Sequence, residues 1–139
     1  MGERHCTSSS VAISPTTIYI GTAGGGVLKS TDGGASWQSA STGLPRITTK
    51  GTTGTGQVRL WTMTATITAL VIDPVHPETL YAATSGSGIF TSTDAGGTWR
   101  PFNAGLDVLD IASLAIDGTG RRLYAGTVNG GVALHVTVK

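Results

Sequence analysis

The chain has 139 residues, a length that predicts one domain, and its nine basic and eight acidic side chains leave a formal net charge of +1 with only 12% of residues charged. That balance excludes a polybasic nucleic-acid arm, an acidic tail and charge-rich disorder. With 21 glycines, abundant Ser and Thr and little Leu, Lys or Glu, turn and strand formers outnumber helix formers, and composition predicts an all-β protein.

Met1 to Ser10 holds no apolar stretch of the signal-peptide kind, and nowhere does an apolar run reach the roughly 18 to 20 residues of a membrane span. No membrane partner is expected, and the compartment stays open, cytoplasmic by default. The lone Cys6 excludes an intramolecular disulfide framework. Packing, or a partner, must hold the fold.

The first strand signal is Val11-Ala12-Ile13, followed by Thr17-Ile18-Tyr19-Ile20-Gly21-Thr22 and then Ser30-Thr31-Asp32-Gly33-Gly34-Ala35-Ser36-Trp37. The same order returns as Leu70-Val71-Ile72-Asp73-Pro74, Thr79-Leu80-Tyr81-Ala82-Ala83-Thr84 and Ser92-Thr93-Asp94-Ala95-Gly96-Gly97-Thr98-Trp99. A third relative begins at Leu114-Ala115-Ile116-Asp117-Gly118 and continues as Arg122-Leu123-Tyr124-Ala125-Gly126-Thr127, with no third S-T-D box after it. In the second copy the strands are expected over Ile67 to Ile72, Leu80 to Thr84, Gly88 to Thr91 and Thr98 to Phe102, separated by turn residues. In the third they are expected over Ile111 to Asp117, Leu123 to Thr127 and Gly131 to Val138.

Tyr81 and Tyr124 are 43 residues apart, the length of one four-stranded propeller blade, whereas Tyr19 and Tyr81 are 62 apart. The excess of about 19 residues falls between Pro45 and Ile67, where Gly54-Thr55-Gly56 between β-branched flanks predicts an inserted hairpin or long loop. The expected architecture is therefore all-β, with consecutive four-stranded antiparallel propeller blades in one domain over 1–139. Blade 1 covers about 8–42, the insert about 46–66, blade 2 about 67–103 and a partial blade 3 about 111–138. That is about 2.75 blades, an incomplete propeller.

The two S-T-D-x-G-x-[ST]-W boxes resemble Asp-box (BNR) repeats, which occur in the β-propellers of sialidases, xyloglucanases, sortilin-type receptors and photosystem II assembly factors. The resemblance covers most of residues 11–135 outside the insert, and the second copy is most similar to the xyloglucanase and assembly-factor style of blade. In such blades the box is structural. Asp32 and Asp94 are expected to cap their own turns with help from Ser30 and Ser92, Gly34 and Gly96 to supply positive φ, and Trp37 and Trp99 to pack between units.

No catalytic residue is assigned. A sialidase-type site needs a tyrosine nucleophile with a glutamate partner, and only Glu3 and Glu78 exist, in a tail and a turn. Asp73, Asp107, Asp110 and Asp117 read as turn or strand-end caps, and Tyr19, Tyr81 and Tyr124 as core. His5, His76 and His135 lack metal-ligand spacing, so neither metal nor other cofactor is expected. The glycine run before Lys29-Ser30 fails as a phosphate loop, because Val27-Leu28 intervene and strands follow.

Arg46, Lys50, Arg59 and Trp61 gather three cations and a large ring in a segment that the repeat does not require, and they are the candidate binding residues. Open blade faces and edges predict a homo-oligomer, most simply a dimer, unless the chain is part of a longer propeller. The favoured function is a non-enzymatic binding or scaffold module completed by self-association and taking a glycan or protein, with no nucleic-acid partner. The alternative is a glycoside hydrolase-related fragment acting on a polysaccharide.

Overall fold

The computed structural model describes residues 8–14, 16–102, 110–127 and 133–137. The protein is all-β, and the described residues contain strands, bridges and turns with no helix. Strands β1 (Ser8–Ile13), β2 (Ile18–Thr22), β3 (Val27–Ser30) and β4 (Gln38–Ser39) form one antiparallel sheet in chain order. After the hairpin β5 (Arg46–Thr52) and β6 (Val58–Thr64), strands β7 (Ile67–Ile72), β8 (Leu80–Thr84), β9 (Ile89–Ser92) and β10 (Arg100–Pro101) build a second four-stranded meander. Strands β11 (Ile111–Ile116), β12 (Arg122–Thr127) and β13 (Ala133–Thr137) build a three-stranded sheet.

Repeat equivalence extends to the register. Tyr19 pairs Lys29, Tyr81 pairs Thr91 and Tyr124 pairs His135, so the same ladder rung recurs in each sheet. Each first strand also carries a register shift near its start, between Ser8 and Ser10, Ile67 and Ala69, and Ile111 and Ser113. A bulge of this kind bends the strand and raises its twist. It also frees side chains to link the sheets: Leu70 N donates to Ser10 Oγ at 2.8 Å, and Thr68 Oγ1 donates to the Ile111 carbonyl at 2.6 Å. The three first strands β1, β7 and β11 thereby stand side by side, as they do around a propeller axis.

Two apolar layers fill the joints between sheets. One joins Tyr19, Val27 and Leu44 of the first sheet and its exit to Ile67, Leu80, Phe90 and Trp99. The other joins Tyr81, Ile89 and Phe102 to Ile111, Leu123 and Ala125. Each joint is a thin layer between two sheets, so its strength lies in the few large side chains that span it.

The expected elements shift at their edges. The last strand of each complete blade is only two residues long, because the turn before it runs on to Trp37 or Trp99. The insert is a hairpin, paired from Arg46 opposite Thr64 to Thr52 opposite Val58. Its tip closes through Thr53 N to the Gln57 carbonyl at 2.8 Å and Gly56 N to the Thr53 carbonyl at 3.0 Å.

Candidate functional site

Connections in an antiparallel meander alternate between two edges of the blades. The turns after the first and third strands share one edge, seen where Ala95 N reaches the Glu78 carbonyl at 2.9 Å. The turns after the second strands share the other with the hairpin base, where Thr64 N donates to the Gly24 carbonyl at 3.1 Å.

On the first edge stand the two serine–aspartate turns. Ser30 Oγ donates to Asp32 Oδ1 at 2.8 Å and accepts from Gly34 N at 2.9 Å, while Ser36 donates its N–H to Asp32 Oδ1 at 2.9 Å and its hydroxyl to Oδ2. Ser92, Asp94, Gly96 and Thr98 repeat the pattern. Hydrogen bonds from the Ser36 hydroxyl and N–H hold the Asp32 carboxyl down at about 2, and those from the Thr98 N–H and hydroxyl do the same for Asp94. Carboxylates so held stay ionised, and their acceptor sites are committed to their own turn. They are unsuited to general acid work.

The second turn is also a clasp. Ala95, at φ 60°, presents its carbonyl to Tyr19 Oη at 3.3 Å and to Lys29 Nζ at 2.9 Å across the joint. The Trp99 indole N–H donates to the Ala40 carbonyl at 2.7 Å, and its backbone N–H donates to the Thr42 carbonyl at 2.8 Å. Gly43 follows at φ +96°, and a Cβ there would run into the Trp99 carbonyl oxygen. Trp99 is accordingly 4% exposed, whereas Trp37, at the equivalent place in the first turn, is 38% exposed. A ring packed between units thus describes Trp99; no described blade covers Trp37. The same holds for the tyrosines expected in the core: Tyr19 and Tyr81 are buried, but Tyr124 is 36% exposed because no described sheet follows β12 and β13.

Asp73 and Asp117 cap turns. Asp73, fully buried, accepts from Val75 N at 2.9 Å and His76 N at 3.2 Å, and the turn holding Gly120 packs directly on it. Asp117 accepts from Arg121 N at 3.1 Å and from the Thr119 hydroxyl at 2.9 Å. A cleft of about 270 Å³ opens beside Asp73, between Ile13 and Ser14 of the first sheet and Ile72, Pro74 and Pro77 of the second. Among the described residues no group of three His, Cys, Asp or Glu is placed to hold a metal ion. No helix among them is long and apolar enough to cross a membrane.

On the hairpin edge, Thr22 and Thr84 shape equivalent turns, donating to the Gly26 and Gly88 carbonyls at 2.9 and 2.8 Å and accepting from Gly25 N and Ser87 N at 3.0 Å. Sequence reasoning did not single out these threonines, although both end the strand that carries the repeated tyrosine. Beside them Asp110 pairs with Ser85 across an isolated bridge. Arg46 opens β5 and is exposed. Lys50, Arg59 and Trp61 lie on the same hairpin, with Thr49 opposite Trp61, Lys50 opposite Leu60 and Gly51 opposite Arg59. The side chains of these three lie outside the described residues, as do His5 and Asp107. Among the described carboxylates only Asp110 stands on this edge; Asp32, Asp73, Asp94 and Asp117 cap turns of the first, and Glu78 lies in one of those turns.

No family model matches the chain, and no curated protein matches it. Among solved structures it is similar to the GH74 xyloglucanase of Xanthomonas campestris, with a TM-score of 0.68 at 20% identity over 96% of this chain and 21% of that one. The GH74 enzyme of Niastella koreensis gives 0.56 at 23% identity, over 93% of this chain and 21% of that one. PorZ, a surface component of the type-IX secretion system of Porphyromonas gingivalis, gives 0.60 at 19% identity, over 91% and 17%. The chain thus spans about a fifth of the length of these proteins. All are β-propellers, and the chain folds as consecutive blades of that kind.

Proposed function

We propose that the chain is a non-enzymatic binding or scaffold module built of Asp-box blades, completed by self-association, which takes a glycan or a protein at its hairpin edge. The observation that carries this reading is the β5–β6 hairpin, a segment the repeat does not need, rooted on the second-strand turns through Thr64 and Gly24. Arg46, Lys50, Arg59 and Trp61 are the contact residues we assign to it: cations for polar or acidic groups and a ring for stacking on a sugar face. The aspartates of the boxes serve the fold.

A second reading, a glycoside hydrolase-related fragment, draws on the GH74 neighbours. Glycoside hydrolysis uses a pair of carboxyl groups flanking one bond, and the described residues bring a single carboxylate, Asp110, to the hairpin edge. A panel of immobilised and soluble polysaccharides, xyloglucan included, separates the two. Retention of the chain without new reducing ends supports the module, and release of products supports the hydrolase. Unchanged retention of Trp61→Ala would remove Trp61 from the contact.

A further inference from the structure

The β5–β6 hairpin carries charge of one sign only. Between Asp32 and Asp73 the sequence has no acidic residue, so Arg46, Lys50 and Arg59 stand on the hairpin without a carboxylate of its own. Asp32, Asp73, Asp94 and Asp117 cap turns at the opposite edge of the blades. Positive charge is thereby gathered at one edge and negative charge at the other, a distribution that steers a polyanion to the hairpin. The two faces of the hairpin differ as well. Register puts Arg46 and Lys50 on one face, opposite Thr64 and Leu60. That face meets the body at its root, where a Cβ on Gly26 would come within 3.0 Å of Thr64 Cγ2. Trp61 and Arg59 belong to the other face, opposite the small residues Thr49 and Gly51. Two residues apart on one strand, they lie about 6.7 Å from each other along it.

We propose that the Trp61 and Arg59 face of the hairpin binds an acidic polysaccharide of the uronic-acid class, Trp61 taking a sugar ring and Arg59 the carboxylate that the ring bears. The inference rests on the reading of the hairpin as the binding element, and adds the class of glycan and the face that holds it. An aromatic side chain offers a flat apolar surface to the C–H groups of a sugar, and a guanidinium matches a carboxylate with two parallel hydrogen bonds. A uronic sugar carries both features on one ring, as this face carries both partners on neighbouring rungs. A neutral glycan would leave Arg59 without an anion, and an acidic peptide would leave Trp61 without a sugar ring. Arg46 and Lys50, on the other face, attract the polymer through charge rather than contact.

Affinity electrophoresis of the whole chain in gels holding polygalacturonate, alginate, xyloglucan or polyaspartate tests this. Polygalacturonate or alginate should retard the chain at least tenfold more strongly than neutral xyloglucan, and methyl esterification of the polygalacturonate should remove the effect. Arg59→Gln and Trp61→Ala should each weaken binding by about tenfold or more, whereas Lys50→Gln should change it by less than about threefold, with a loss that added salt erases. Circular dichroism checks that each variant keeps its strand signal; if Trp61→Ala does not, Trp61→Leu replaces it. Equal retardation by xyloglucan and by the esterified polymer would overturn the acidic class and leave the glycan-binding module standing. Equal retardation by polyaspartate would overturn the sugar contact, leaving charge alone and a protein as the partner. Equal losses for Lys50→Gln and Arg59→Gln would overturn the choice of face, and no retardation in any glycan gel would overturn both this inference and glycan binding by the module.

Discussion

Trp99→Ala and Trp37→Ala remove the same side chain from the same motif, and the structure assigns them different costs. Truncating a buried Trp costs about 3 to 5 kcal/mol. Trp99 also donates from its indole to the Ala40 carbonyl at 2.7 Å, and leaving that buried acceptor unpaired costs about 1 to 3 kcal/mol. Because part of this overlaps the truncation value, the total expected is about 4 to 6 kcal/mol. Trp37, at 38% exposure, leaves no closed cavity, and part of the roughly 1.5 to 3 kcal/mol for full burial gives about 1 to 2 kcal/mol. Urea unfolding followed by circular dichroism reads the difference: at a slope of about 2 kcal/mol per molar, the midpoint should fall by roughly 2 to 3 M for Trp99→Ala and by less than about 1 M for Trp37→Ala. Equal losses, within about 0.5 kcal/mol, would refute the idea that the Ala40–Gly43 segment seats the ring.

The box carboxyls predict an acid limb. Asp32 and Asp94 ionise near 2 in the folded chain against about 3.9 unfolded, so their stabilisation is full above about pH 4 and is lost as pH falls toward 2. The urea midpoint of wild type should drop across that window, and that of an Asp32→Asn, Asp94→Asn double variant should drop less; parallel curves would sink the assignment. Gly120→Ala should destabilise by about 1 to 3 kcal/mol, since its φ is +72° and a Cβ would collide with the Asp73 carboxyl, whereas Gly118→Ala, with nothing within 4 Å, should stay within about 0.5 kcal/mol in thermal melts. Replacing residues 46–64 by a short glycine linker should leave the strand spectrum of the blades intact and abolish glycan or protein retention. Loss of the fold instead would make the hairpin a structural element.

The blades were readable because their information is local. Alternating apolar positions, the S-T-D boxes and the recurring tyrosines each announce a strand or turn within a few residues, and the glycine-rich tip at 54–56 announced the hairpin. The repeated register shift at the start of β1, β7 and β11 was not readable, since Ser8-Ser9-Ser10, Ile67-Thr68-Ala69 and Ile111-Ala112-Ser113 share no residue pattern. Nor was the clasp of Tyr19 and Lys29 on Ala95, 76 and 66 residues away in sequence. A contact of that range is decided by how sheets stack, which no local pattern encodes.

The same distinction explains why the two boxes look alike in sequence and differ in the protein. Their internal hydrogen bonds match nearly atom for atom, so the motif alone builds the turn. What surrounds the turn depends on the preceding blade: the second has Ala40, Tyr19 and Lys29 beside it, whereas among the described residues a Cβ on Gly34 in the first would meet the ring of its own Trp37 alone. A serine–aspartate box is thus a self-sufficient turn carrying an aromatic group whose burial depends on the neighbour. In a solenoid-like array, each such neighbour contributes a nearest-neighbour interface term to stability.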